Sequence, residues 1–557
     1  MNNLNFLVDV LKESPVFKTL EKNVKPGRTV CASGLSTINK SNIIYALCRL
    51  KGVTAFCLAS DEKEAQTLCN DLSCMGLRAY VYPVRDFNFL DFQSRSHEYE
   101  HARLKVLLKL LNHECDVAIA CVDAAAQLTV PRNVLEQSVI EFEEGRELSL
   151  EKATKTLTLL GYERFDAVEG SGQFSLRGGI LDFFMPDSDY PVRCEFWGDE
   201  ITDLSYFDIE TQRRFKKADK ITLSPSTEIV IEDRAALADK IEHKAKLLRS
   251  KNSAKAKEKL FSEAELIRSG AMIANADKFI NQIYDKPESL FDYLDRNTLV
   301  FASEFTAIQE RGKSMDFISN ETLMQGFEDG TLCRGFDRFA LTFNECTEFL
   351  QSHGTIVLEN FVHGSMPIKL SEIISFSTKQ LSAWGGSYKQ LKEDVDGLFT
   401  PESKGVIFAG TERAAKNLCD TFNADGINAV YSEGADKISK GELLVMQGAL
   451  SAGFEYPSQK FFAITYSQVS YRPEKSKKKK KKTGQEIYSL SELAPGDYVV
   501  HNVHGIGVFG GIRKIDTHGV IKDYIKIDYA KGDVLYVPVT QLSLIHISEP
   551  TRLDVIS

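Results

Sequence analysis

No run of roughly 18 apolar residues occurs in the 557-residue chain, which excludes a membrane-spanning helix from the sequence reading. The opening MNNLNFLVDVLKESPVF lacks the basic-then-apolar layout of a secretory leader, so a cytoplasmic protein without membrane contact is expected. Eleven cysteines run from Cys31 to Cys419 with no C-x-x-C pair. That absence argues against disulfides and zinc and for reduced, buried thiols, so no metal ligand is assigned. Positive charge is not in excess either. A net charge of −10 leaves no general basic coat for nucleic acid, and any DNA contact has to come from a local patch.

Catalytic pairings are also missing. His501 and His504 in HNVHGIG form an H-x-x-H with no carboxylate or cysteine nearby, and His97 and His101 in RSHEYEHARL stand four apart without an E-x-x-H frame. No nucleophile and base pair up, so no residue is assigned as catalytic.

What is present reads as a multidomain α/β chain, since its length exceeds what one core can bury. GRTVCASGL, VTAFCLAS, LRAYVYP and CDVAIACVDAAAQL are apolar strands separated by NKSNIIYALCRLKG and HARLKVLLKLL, which read as helices. This alternation predicts a parallel α/β domain over residues 1–131. Residues 132–219 change texture: GQFSLRGGILDFFMP and YPVRCEFWGDEITDLSYFD are aromatic-rich strands broken by Gly-Gly, Pro-Asp and Gly-Asp turns, a mainly antiparallel insert. Residues 220–350 are expected to complete the first α/β domain. Residues 354–470, beginning at TIVLENF, are expected to form a second, small α/β domain. Residues 471–490 carry the lysine run from Lys475 to Lys482, which suits either a solvated linker or an electrostatic contact with nucleic acid. Residues 491–541 alternate apolar and polar with glycine turns and predict a small β-barrel.

One stretch invites a chemical reading. In CASGLSTINKSN, Gly34, Lys40 and Ser41 occupy the first glycine, lysine and hydroxyl of the phosphate-loop pattern, while Asn39 stands where the second glycine belongs. Asparagine and the preceding Ile38 obstruct a loop whose backbone amides must curl around phosphates. The magnesium-binding acid expected at the end of an apolar strand is also absent: in LVFASEFT, Ser303 precedes Glu304 in that place. With both ends of the mechanism defective, a degenerate P-loop-type domain without ATP hydrolysis is expected.

The insert resembles the domain 2 signature shared by the excision subunit UvrB and the bacterial transcription-repair coupling factors, a module that docks on UvrA. No tyrosine-rich hairpin follows VYPVRDFNFLDF, as it would in UvrB. LAPGDYVVHNVHGIGVFGGI and DYIKIDYAKGDVLYVPVTQL resemble the RNA polymerase interaction domain of the coupling factors, related to CarD-type regulators. The chain is thereby similar to the N-terminal part of a coupling factor over residues 1–541, in the same domain order. The resemblance implies an adaptor, a monomer, that binds the RNA polymerase β subunit and UvrA. It places UvrA contacts at Arg177, Arg193 and Trp197 and a polymerase contact at Ile515. Read without the resemblance, the arginines sit on a solvated face, Trp197 is a core residue and Ile515 faces the barrel core.

In a complete family member an ATP-driven DNA translocase motor would follow, so ATP and magnesium, and most DNA contact, are expected only there. These residues are expected to need no cofactor. LSLIHISEPTR resembles a translated sequencing adapter, and residues 542–557 are expected to be non-native, although QLSLI also fits the family pattern. A UvrB-like ATP-dependent damage-recognition protein and a CarD-like regulator are the alternatives.

Overall fold

The computed structural model describes residues 4–466 apart from 86–97, 139, 249–252, 271–275, 331, 362–365 and 386. Beyond 466 it describes 485–486 and the stretches 498–501, 505–517, 520–529, 534–538 and 545–547. The chain divides into two compact units, Met1–Tyr471 and Arg472–Ser557. Among the described residues no helix is long and apolar enough to cross a membrane.

The first unit is built on a seven-stranded parallel sheet. Its order is Glu372–Ser375, Val30–Ser33, Thr355–Leu358, Leu299–Ser303, Ala55–Ala59, Val117–Cys121, Ala79–Tyr82. The strands Val30–Ser33, Ala55–Ala59 and Val117–Cys121 are apolar but for Ser33 and buried along their whole length, as a parallel sheet covered by helices demands. TIVLENF therefore belongs to this sheet and does not open the second domain. The helix Phe343–His353 stops at Gly354, whose φ of 88° turns the chain back. Thr355–Leu358 then slots between Val30–Ser33 and Leu299–Ser303 in parallel register. The strand Glu372–Ser375 follows it on the other side of Val30–Ser33, so this domain closes well after residue 350.

The second sheet holds Lys379–Leu381, Gly453–Tyr456, Phe461–Thr465, Lys404–Phe408, Glu442–Met446 and Ala429–Tyr431. Its last four strands are parallel. The helix Thr37–Lys51 lies between the two sheets, with every residue from Ile38 to Cys48 buried. A helix covered on all sides must be walled by protein. Accordingly Ile38, Ile43 and Phe6 share one core with Phe408, Leu444, Met446, Phe454 and Phe461, and the Phe6 and Phe461 rings lie 6.3 Å apart. Phe6 arrives on the opening segment, which is two helices, Asn5–Lys12 and Pro15–Asn23, broken at Ser14 where proline starts the second.

The insert is a six-stranded sheet, Arg214–Lys217, Glu200–Phe207, Val192–Trp197, Ile180–Phe183, Gln173–Arg177, Glu163–Arg164, antiparallel except at the last pair. A ribbon of Ile140–Glu143 and Lys220–Leu223 closes its core, with Phe142 against Phe183 at 5.0 Å. Ile221 and Leu223 are buried in that core, so the insert runs past residue 219. Its joint to the first domain is a dry ionic network. Arg103, fully buried, donates to Glu228 at 2.6 Å and to Gln127 at 2.8 Å, and Thr129 donates to Glu228 at 2.6 Å. Glu100 accepts from the Thr227 hydroxyl and the Glu228 amide.

The second unit is an antiparallel sheet in the order Gln485–Glu486, Ile545–Ile547, Tyr498–His501, Gly505–Thr517, Val520–Asp528, Val534–Pro538. The strand Ile545–Ile547 pairs with Tyr498–His501, although it falls in the segment read as non-native. The lysine run lies outside the described residues.

Candidate functional sites: a filled phosphate loop and an exposed sheet face

The strand Val30–Ser33 ends at Gly34, whose φ of 79° permits the turn and against which the Phe376 carbonyl packs too closely for any Cβ. The helix then starts at Thr37, before Asn39 and Lys40, so there is no open loop. Three amides of the stretch are bonded within the protein. Gly34 N–H donates to the Asn360 carbonyl, Leu35 N–H to Glu359 and Lys40 N–H to Ser36.

Lys40 is buried, and its ammonium donates to Glu304 at 2.5 Å, Ser303 at 2.9 Å and Glu64 at 3.3 Å. Ser303 in turn donates to Glu64 at 2.6 Å. Glu304 adopts a left-handed φ of 55° and accepts the Asn360 amide at 3.0 Å. Of the sequence-selected residues, Lys40, Ser303 and Glu304 are brought together, around protein carboxylates; Asn39 instead accepts from the Ser36 hydroxyl, and Gly34 and Ser41 are bonded elsewhere. Burial alone would push Glu64 up; the Lys40 ammonium and the Ser303 and Ser60 donors outweigh it and hold the carboxyl below its usual range. Ser41, which a working loop would offer to magnesium, donates to Asp71. Asp71 also accepts the amide and hydroxyl of Ser451 at 2.7 Å, tying the two α/β domains together. Burial pushes Asp71 up to about 6 despite these donors. In this arrangement the Lys40 ammonium is matched by protein carboxylates, and the Gly34, Leu35 and Lys40 amides are bonded within the protein.

Sequence reasoning missed Glu64 and Glu359. Glu359 is buried and accepts the Phe305 amide at 2.8 Å. Burial pushes it up to about 7; the Phe305 N–H opposes the shift and the Glu304 carboxylate adds to it. An acid whose folded pKa is raised binds its proton in the folded state after the unfolded chain has released it. The contribution of Glu359 to stability therefore falls as pH rises from 4.5 through about 7, and is flat above. Glu359→Gln, which keeps an acceptor for Phe305, is expected to lessen the slope in that window, leaving the share that Asp71 contributes. Above pH 7 it should raise the unfolding free energy by about 1–2 kcal/mol in denaturant titrations.

On the insert, strand alternation separates two faces. Leu181, Phe183, Val192, Cys194 and Phe196 are buried. Arg193, Glu195 and Trp197 point the other way, joined across the register by Asp182 and Arg177. Two tight turns bring Arg177 and Trp197 to one end of this face: Gly178, at φ 62°, links Arg177 to Ile180, and Gly198, at φ 66°, links Trp197 to Glu200. Trp197 is 82% exposed, which overturns the core reading. Arg177 and Arg193 both donate to Asp182, at 2.8 Å and 2.7 Å. Asp182 was not singled out from sequence, although a lone acid within the apolar run ILDFF was a readable signal.

In the second unit Ile515 pairs with Lys522. The strand Tyr498–His501 reaches only Gly505–Val508, so the stretch around Ile515 has one backbone edge without a partner strand among the described residues. Its side chain lies outside the described residues, as do His97, His504 and the side chain of His501. Among the described residues no three His, Cys, Asp or Glu side chains converge to hold a metal. All eleven cysteines are free and ten are buried; burial, with Glu359 and Glu304, pushes Cys31 up to about 12.

Comparison with known proteins gives two family matches: the UvrB interaction domain over residues 140–229 and the CarD-like/TRCF RID domain over residues 493–549. Among curated proteins the chain is 29% identical to the transcription-repair-coupling factor of Bacillus subtilis over 548 residues, covering 96% of this chain and 46% of that protein. The factor of Staphylococcus haemolyticus is 26% identical, covering 83% and 40%, and that of Staphylococcus aureus strain MRSA252 is 23% identical, covering 97% and 47%. The chain thus spans about half the length of the curated relatives it matches.

Proposed function

We propose that this chain, which belongs to the transcription-repair-coupling factor family, acts as the adaptor part of transcription-coupled excision repair. The insert recruits UvrA and the second unit grips RNA polymerase through its β subunit. The observation that carries the reading is Trp197, an indole 82% exposed at the same end of the sheet as Arg177, on the solvent face of the matched UvrB interaction domain. A large aromatic left in water on a rigid hairpin is the kind of group that dominates an interface once covered. The filled phosphate loop supports adaptor work over nucleotide turnover by these residues, and disfavours the UvrB-like ATPase alternative.

Trp197→Ala is expected to weaken UvrA binding by about 2 kcal/mol or more, roughly 30-fold, in calorimetric titration. Its unfolding midpoint should stay put, because the side chain buries little. Unchanged affinity would remove the residue from the interface. For the second unit, the unpartnered backbone edge near Ile515 suits strand addition by the polymerase β subunit. Ile515→Arg is expected to abolish capture of the β-subunit N-terminal region, and undiminished capture would exclude that position.

A further inference from the structure

We propose that Arg193 and Asp182 are positioning residues for Arg177, and that only Arg177 and Trp197 touch the partner. This rests on the docking reading above and divides its residues by role.

The Arg193 side chain is 13% exposed and its guanidinium is already committed. Nε and Nη2 donate to the two Asp182 oxygens at 2.7 Å and 2.8 Å. Nη1 and Nη2 donate to the Gln212 carbonyl and Oε1, both at 3.0 Å. That uses four of the five N–H groups of an arginine. Its Cζ also lies 4.3 Å over the Phe207 ring, so the group is held from below as well as from its edges. A fork bound in this way has little left to offer a partner.

Arg177 is the opposite case. Its side chain is 51% exposed, and it makes one hydrogen bond, from Nη2 to Asp182 Oδ2 at 2.8 Å. Asp182, 1% exposed, therefore stands between a largely covered arginine with four of its five N–H groups committed and an exposed one with a single bond. The two-pronged contact from Arg193 fixes the Asp182 carboxylate, and the carboxylate fixes the head of Arg177. The remaining N–H groups of Arg177 then present a preset fork at the end of the sheet where Trp197 also projects. Presetting a long side chain removes part of the ordering cost of binding. The complementary surface on the partner is a carboxylate placed for a planar fork, next to an apolar recess for an indole.

A double-mutant cycle with purified UvrA as the probe tests this. Arg177→Ala, Arg193→Gln and Asp182→Asn are each expected to weaken binding about tenfold. In the Arg177→Ala background, Arg193→Gln and Asp182→Asn are expected to change it less than about twofold, since both act through Arg177. With Trp197→Ala, Arg193→Gln should instead multiply. Coupling to Trp197 as strong as to Arg177 would mean that Arg193 merely holds the face together, and would overturn the assignment. Multiplying losses from Arg177→Ala and Arg193→Gln would make Arg193 a direct contact, which overturns it too. Tighter binding by Asp182→Asn would show that Asp182 only neutralises charge.

Arg193→Lys guards against misfolding by the bulkier changes. It keeps the cation but cannot grip both Asp182 oxygens, and is expected to bind as weakly as Arg193→Gln; full affinity would count against positioning. If the wild-type chain does not bind UvrA, the docking reading fails and takes this inference with it. If it binds through Trp197 while the arginines behave independently, only the inference fails.

Discussion

Lys40→Met is expected to lower the unfolding free energy by about 3–5 kcal/mol, read as a shift of the denaturation midpoint at unchanged slope. The lysine is buried and bonded to Glu64, Glu304 and Ser303, so methionine leaves two carboxylates without the cation that offsets their desolvation. Uncompensated charge in a dry site is far more damaging than loss of a surface pair. Adding Glu64→Gln should restore part of the loss, because it removes the more buried of the two carboxylates. In a working phosphate loop the lysine faces its ligand, and the same substitution would weaken nucleotide binding while leaving the free protein nearly as stable. A loss under about 1 kcal/mol would mean that the cluster is hydrated and the closed-loop description is wrong.

Phe461→Ala is expected to cost about 3–5 kcal/mol, within the range for deleting a buried phenyl ring. Phe461 is fully buried at the meeting of the two α/β domains, 6.3 Å from Phe6 and 5.9 Å from Phe454. Because Phe6 and Ile38 of one domain share a core with Phe408 and Met446 of the other, the loss should be felt by both at once. Calorimetry should show one transition covering both domains, moved to lower temperature as a whole. Two separated transitions in the wild type, with only the later-numbered domain affected by the substitution, would sink the shared-core description.

The defects of the loop could be read from sequence, since Asn39 and Ser303 stand at positions where the chemistry allows little choice of residue. What surrounds Lys40 could not. That Lys40 is matched by Glu64 depends on a helix 24 residues away folding back, and that Glu359 accepts the Phe305 amide depends on TIVL entering the first sheet. Local apolar character identified TIVL as a strand, but the sheet it joins is decided by non-local pairing with Val30–Ser33 and Leu299–Ser303. On the insert, the residues alone made Trp197 a core residue, whereas the strand register sets it on the same face as Arg193. The division between an arginine with four N–H groups committed and one with a single bond required Asp182 and Gln212, which are neighbours only across strands and a turn.

The joint at the root of the insert has a consequence for geometry at larger scale. The chain passes from the first α/β domain into the insert and back again, and both passages are bolted to Arg103 and Glu228 in a site closed to water. On the outside, Lys105 reaches Asp189 at 3.2 Å, a further tie between the same two bodies. A module on one flexible tether would let a captured partner wander; two clamped passages give it a fixed bearing. Whatever docks on the Trp197 end of the sheet is therefore aimed in one direction relative to the parallel sheet, as a tool is by a rigid bracket.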